Sequence, residues 1–244
     1  MNAIEIHRLT RRFGNRTAVD QLDLTISEGE VFSLLGQNGA GKTTTIRMLS
    51  CLLPPTDGDA LVFGDSILTA PNTVKAKLNL SPQQNAVARN LTVRENLELF
   101  ARLWGADCSE AKARAEQAMA DFSLTDRANE RAKSLSGGLE RRLSIAMAMI
   151  SRPRILFLDE PTLGLDVRAR RELWRLIESC RGKLTVILTT HYLEEAEHLA
   201  DRIGVMQSGR LCALGTVEEL CTKTGKATLE DAFLALTDGE EVSA

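Results

Sequence analysis

Val31-Phe32-Ser33-Leu34-Leu35-Gly36-Gln37-Asn38-Gly39-Ala40-Gly41-Lys42-Thr43-Thr44 is the stretch on which the fold turns. Val31 to Leu35 predicts a buried strand. From Thr43 to Cys51 a helix is expected, with Ile46, Leu49 and Ser50 on one face and Pro54-Pro55 ending it. The segment between them reads G-x-x-x-x-G-K-T, a phosphate-binding loop in the strand-to-helix context that motif requires. Its glycines let successive backbone N–H groups turn inward without Cβ clashes, and the helix N-terminus adds favourable dipole charge. Gly36, Asn38, Gly39, Ala40, Gly41, Lys42, Thr43 and Thr44 are therefore the candidate phosphate-binding residues. Lys42 is expected to reach the β- and γ-phosphates, and the Thr43 hydroxyl to help hold Mg²⁺, a hard ion that keeps oxygen ligands. A glycine-rich turn with an incidental lysine is the bland alternative, and the flanking strand and helix argue against it.

Upstream, Ala3 to His7 and Leu22 to Ile26 predict antiparallel strands, with turns at Phe13-Gly14-Asn15 and Glu28-Gly29-Glu30. Downstream, a mostly helical block runs from about Thr92 to Ile150. It opens with the capping box Thr92-x-x-Glu95, and Gly105 closes its first helix. Ile155 to Leu158 and Leu184 to Thr189 predict buried parallel strands, with the helical run Arg168 to Cys180 as their crossover. Arg202 to Gly215 predicts a hairpin through Gln207-Ser208-Gly209, and Thr237 to Ala244 a frayed end.

Two further segments carry chemistry. Ile155-Leu156-Phe157-Leu158-Asp159-Glu160 is an apolar strand ending in two acids, at the strand end where α/β proteins bind ligands. Asp159 is expected to hold Mg²⁺ through water, and Glu160 to polarise the attacking water. Leu135-Ser136-Gly137-Gly138 precedes a helix carrying Leu139, Leu143, Ala146, Met147 and Ile150 on one face, a second helix start able to accept an anion. Alone, the acidic pair would read as a solvated loop and Ser136 as a helix cap.

Phosphate loop, then Ser-Gly-Gly at a helix start, then the acidic strand, in that order, resembles the ATP-binding-cassette family. The resemblance implies a single α/β domain over residues 1–244. Residues 1–85 and 151–220 would form a P-loop NTPase core with an antiparallel β subdomain. An inserted α-helical subdomain would span 86–150, and 221–244 would be a short tail. It implies that Ser136, Gly137 and Gly138 of one protomer cover the γ-phosphate of ATP held by another, in a sandwich dimer. Gln83, after Pro82, looks like the family's glutamine lid, contacting Mg²⁺ and the water. Leu165-Asp166 looks like its dimer-contact loop, His191 like its switch histidine, and Phe13 like the aromatic that stacks on adenine. Each of these, taken singly, would read as structural; their joint order carries the functional reading. Two positions depart from the family pattern: Leu139 stands where Gln is common, and Gln37 where many members carry Pro.

Within the family, Thr190 to Glu197, the hairpin before Leu214-Gly215-Thr216, and Thr228 to Phe233 look like stand-alone cassettes of bacterial drug, lipid or glycan exporters, of the daunorubicin-resistance and nodulation-factor type. That likeness implies ATP hydrolysis powering transport through a separately encoded integral-membrane subunit, with this subunit peripheral on the cytoplasmic face. Arg127, Arg131, Arg141 and Arg142 are expected on a solvated basic face open to such a partner. A non-transport cassette would be expected to carry a long coiled-coil insertion or a second cassette, and neither heptads nor a repeat is present. A regulatory ATP-binding module would be expected to lack the base, whereas Glu160 is present.

Composition narrows the classes further. With 244 residues, 43% of them hydrophobic, the chain can bury one large core. Thirty Lys and Arg against 33 Asp and Glu give a formal charge of -3, which excludes the global basic field used for nucleic-acid binding. Apolar runs are strand-sized, with no secretory signal or spanning helix. Five scattered cysteines without C-x-x-C spacing and three histidines point to a reduced compartment and no zinc site.

Overall fold

The computed structural model describes residues 1–237. Two long strands, β1 (Asn2–Phe13) and β2 (Arg16–Ser27), form an antiparallel hairpin over the turn at Gly14-Asn15. They extend well beyond the short segments expected from alternation. Backbone irregularities interrupt their register, and Arg8 and Gln21 adopt positive φ, so the period-2 pattern slips within each strand. β3 (Val31–Leu35) coincides with the expected buried strand and leads through the phosphate loop into α1 (Lys42–Leu49). That helix stops before the two prolines, because Cys51 turns the chain with φ 56°.

The sheet around β1 is completed by β4 (Asp57–Val62) and β5 (Asp65–Ser66) in the order β2-β1-β4-β5. After α2 (Pro71–Lys77) comes β6 (Leu78–Ser81). Three helices follow: α3 (Val93–Leu103), α4 (Cys108–Asp121) and α5 (Gly137–Met149). The Thr92–Glu95 capping box is present at α3, and Gly105, at φ 86°, lies just past its end. Then come β7 (Ile155–Asp159), α6 (Val167–Glu178), β8 (Thr185–Thr190), α7 (Leu193–Leu199), and the hairpin β9 (Arg202–Gln207) and β10 (Arg210–Gly215). Two helices, α8 (Val217–Thr224) and α9 (Leu229–Thr237), end the described chain. The frayed end expected from Thr237 onward lies, beyond Thr237 itself, outside the described residues.

The second sheet runs β10-β9-β3-β8-β7-β6. β3 lies between β8 and β9, parallel to both, and β7 between β6 and β8, parallel to both; only β10 is antiparallel to its neighbour. Alternation along the central strands divides the core between the sheet's two faces. Leu156 and Leu158 of β7, with Val186 and Leu188 of β8, pack with the helices α3 to α6. Ile155, Phe157 and Ile187 pack with α1 and the antiparallel sheet. The fold is thus α/β: a P-loop NTPase core carrying an antiparallel sheet on one side and helices on the other. Its parallel strands β3, β7 and β8 point their C-terminal ends toward one edge, where the chemical residues collect.

Candidate functional site

The phosphate loop is held open from below by its own neighbours. Gly41 caps α1 with φ 106°, and a Cβ there would come within 2.5 Å of the Ala18 carbonyl oxygen. Both the left-handed conformation and the close approach of β2 require glycine. The loop is also tied to the β9–β10 turn, where the Gly209 N–H donates to the Ala40 carbonyl at 3.0 Å.

Lys42 is 5% exposed. Its ammonium donates to the carbonyls of Gly36 at 2.5 Å and Gln37 at 3.1 Å and sits 3.9 Å from a Glu160 carboxylate oxygen. Burial pushes its pKa down, against the opposing pull of Glu160 and Asp159. Beneath the loop the Thr43 hydroxyl donates to Asp159 Oδ1 at 2.9 Å, and the Thr189 hydroxyl donates to the same oxygen at 2.6 Å. Hard oxygens therefore converge at the end of β7 beside the phosphate loop. The described residues contain no cluster of three or more His, Cys, Asp or Glu side chains able to cage a metal. This donor set fits Mg²⁺, which keeps several waters and is held through one or two protein oxygens together with phosphates.

Glu160 follows Asp159 with φ 46°, a left-handed backbone that a non-glycine residue adopts only where its surroundings impose it. Its N–H donates to the Thr189 carbonyl at 3.1 Å. Its carboxylate meets three side chains: Lys42, His191 Nδ1 at 3.2 Å, and the Gln83 amide, which donates at 3.1 Å. Four distant stretches of sequence thus meet at one carboxylate.

Most of the residues named from sequence share one cleft of about 610 Å³. Phe13, Asn38, Gly39, Ala40, Gly41, Lys42, Thr43, Thr44, Gln83, Glu160 and His191 line it. Gly36 and Asp159 lie directly behind, bonded to Lys42 and Thr43. Phe13 stands half-exposed at the rim with the Arg11 guanidinium over its ring at 4.6 Å. Ser136, Gly137 and Gly138 do not line the cleft. They start α5, where the Ser136 hydroxyl accepts from the Leu139 N–H, and a Cβ on Gly138 would come within 2.8 Å of Ala169 Cβ. Asp166, in the expected dimer-contact loop, caps α6 by accepting from the Ala169 N–H at 2.9 Å.

The basic-face expectation fails at Arg141, which is 3% exposed and points inward. Its guanidinium donates to the carbonyls of Pro161 and Asp159, each at 2.9 Å, and on its other edge to the Pro82 carbonyl. Burial lowers its pKa to about 10. Arg142 is mostly covered as well and pairs with Glu172 of α6, whereas Arg127 pairs with Glu130 in the open. Helical phase carried the missed signal, since Arg141 lies three and four residues before the buried Ser144 and Ile145. Arg16, which also lines the cleft, follows the Gly14-Asn15 turn, where sequence alone gives it no distinguishing pattern.

Residues 19–163 match the family model described as ABC transporter. The daunorubicin resistance ATP-binding protein DrrA3 of Streptomyces coeruleorubidus is 44% identical over 224 residues, covering 91% of this chain and 71% of the relative. Among solved structures, the ATP binding subunit of an ABC transporter superposes with a TM-score of 0.85 at 27% identity, covering 96% of this chain and 99% of the other. A dimeric post-hydrolysis state of an ATP-binding cassette bound to ADP and Pi superposes with a TM-score of 0.78, also at 27% identity, over 87% of this chain and 98% of the other.

Proposed function

We propose, from the premise that this chain belongs to the ABC transporter family as an ATP-binding and ATP-hydrolysing subunit, that it drives export through a separately encoded integral-membrane subunit. In this reading two cassettes close around ATP on the cytoplasmic face of the membrane. No helix among the described residues is long and apolar enough to cross a membrane, so the path itself is assigned to the partner. The daunorubicin-resistance relative supports export of a drug-like molecule. Residues 86–150 are taken as the lobe that carries the signature Ser136-Gly137-Gly138, between core segments 1–85 and 151–220.

The observation that carries the reading is the convergence of Lys42, Gln83 and His191 on the Glu160 carboxylate above the phosphate loop. Phe13 would stack on adenine. Backbone N–H groups of the loop from Gly36 to Thr44 would surround the phosphates. Lys42 would exchange its two carbonyl acceptors for β- and γ-phosphate oxygens, which are stronger partners for an ammonium. Thr43, Asp159 and Gln83 would hold Mg²⁺, which when bound neutralises phosphate charge. Glu160 would orient a water and accept its proton as the water oxygen bonds to the γ-phosphorus and the bond to the bridging oxygen of ADP breaks. His191 would hold the Glu160 carboxylate and the γ-phosphate together. Ser136, Gly137 and Gly138 would close over the nucleotide of the second cassette.

The test is Glu160→Gln, which keeps the size but turns one acceptor oxygen into an NH2 donor and removes the proton acceptor. Turnover is expected to fall about 10²-fold or more, while ATP affinity stays near parental and an ATP-dependent dimer accumulates that ADP does not support. Hydrolysis at the parental rate would remove Glu160 from the role of base.

A further inference from the structure

Arg141 is a cation buried in the middle of the molecule whose hydrogen-bond acceptors are all neutral. They are the carbonyls of Asp159 and Pro161 on one edge of the guanidinium, and Pro82 O, Gln83 O at 3.5 Å and Asn85 Oδ1 at 3.3 Å on the other. Asp159 and Glu195 are near enough to favour its charge, but no carboxylate hydrogen-bonds to it, and a neutral donor would serve packing alone. The planar fork of arginine, however, can address two peptide segments at once.

The two segments matter more than their number. Asp159 O and Pro161 O flank Glu160, the residue held with φ 46°. Pro82 and Gln83 begin the loop from which the Gln83 amide donates to the Glu160 carboxylate. Arg141 itself sits on α5, the helix that Ser136 caps.

We infer that Arg141 is a positioning residue: its guanidinium locks the Glu160 turn and the Gln83 loop to the signature helix, so that the base is aimed only when all three are in register. The inference rests on the assignment of Glu160 as the base, and it adds a route by which engagement of Ser136 by a second cassette reaches the base of its own protomer. Arg141 touches neither nucleotide nor water in this scheme. It acts through Glu160 and Gln83.

The test uses the full chain with Arg141→Lys, alone and combined with Glu160→Gln. Lysine keeps the charge but brings one nitrogen, which cannot serve both segments. Turnover by Arg141→Lys is expected to fall about 10²-fold, the scale of a misplaced catalytic group, with ATP affinity by fluorescence titration within about threefold of parental. In the Glu160→Gln background the same substitution is expected to reduce the residual rate no further, because a misaimed base that is already absent costs nothing. A parental rate in Arg141→Lys would overturn the proposal. So would loss of ATP affinity in parallel with rate, or a full additional loss on top of Glu160→Gln, since either marks a general packing role. Should Arg141→Lys fail to fold, Arg141→Gln is measured in the same way; failure of both to fold would make Arg141 a folding determinant and overturn the proposal too. Parental activity in Glu160→Gln alone would instead count against the base assignment, leaving the two failures distinguishable.

Discussion

Glu195 has no exposed surface, and Trp174 Nε1 donates to its Oε1 at 3.3 Å. Burial holds its pKa above the ordinary carboxylate range, because a charged carboxylate is poorly solvated there. The unfolded chain releases this proton first. Between the ordinary carboxylate range and the raised value in the fold, the folded protein therefore carries more protons, and rising pH costs stability. The contribution is fully present below the unfolded value and is lost as pH climbs through the folded one. Glu195→Gln mimics the neutral acid and removes this dependence. Its urea midpoint relative to the parent is expected to rise as pH climbs above the ordinary carboxylate range. A constant difference as pH climbs would show that Glu195 ionises in the fold as it does in the unfolded chain. Neither Glu195 nor Arg141 announced itself in the sequence, because each stands in a run of charged residues that, without three-dimensional context, reads as a solvated face.

At the scale of elements, Thr92 shows how local chemistry sets a boundary. Its hydroxyl accepts from the Glu95 N–H at 3.1 Å, and its own N–H donates to the Glu95 carboxylate at 2.7 Å. Thr92→Ala is expected to destabilise the protein by about 1 kcal/mol, read as a lower urea midpoint, with ATP affinity unchanged. An unchanged midpoint would mean that the packing of α3 alone fixes its start. Such signals were readable because they depend on a few adjacent residues. β3 is bounded by a charged turn and the phosphate loop, β7 by Pro153 and the acidic pair, and the β9–β10 hairpin turns at Ser208-Gly209. The first two strands were underestimated because Arg8, Arg11 and Arg12 stand on an exposed hairpin, where charge breaks alternation without breaking pairing. β6, only four residues long, is stabilised by its parallel pairing with β7, a contact that no local pattern specifies. That most of the candidate residues share one cleft was readable for a different reason. Phosphate binding needs a fixed local loop, while the meeting of Gln83, Glu160 and His191 follows from the sheet that brings the ends of β6, β7 and β8 together.

Taken as a whole molecule, the chain has a cleft lined by the loop from Asn38 to Thr44, while Ser136-Gly137-Gly138, the proposed signature, lies outside it. If the signature serves a second copy, a symmetric dimer has two composite sites, each with the loop of one protomer and the signature of the other. In the proposed reading Lys42→Ala removes the full positive charge aimed at the phosphates, leaving mainly backbone dipoles, and is expected to abolish tight ATP binding at its own loop. Ser136→Arg leaves that loop intact but places a bulky side chain where the opposite nucleotide must dock. Each homodimer should then be inactive, the first for want of bound ATP and the second because neither site can close. A mixed dimer differs: one site combines the Lys42 loop of the Ser136→Arg protomer with the intact Ser136 of the Lys42→Ala protomer, and the other carries both lesions. Purified through two different tags, it is expected to hydrolyse ATP at about half the parental rate per dimer, one intact site of two. Leu139, where the family commonly has Gln, is partly buried against the core beside these residues, and the measurement is made with and without the proposed membrane subunit. A verified mixed dimer with no activity would count against independent composite sites, and activity in either homodimer would count against the placement of Lys42 or Ser136 at the nucleotide.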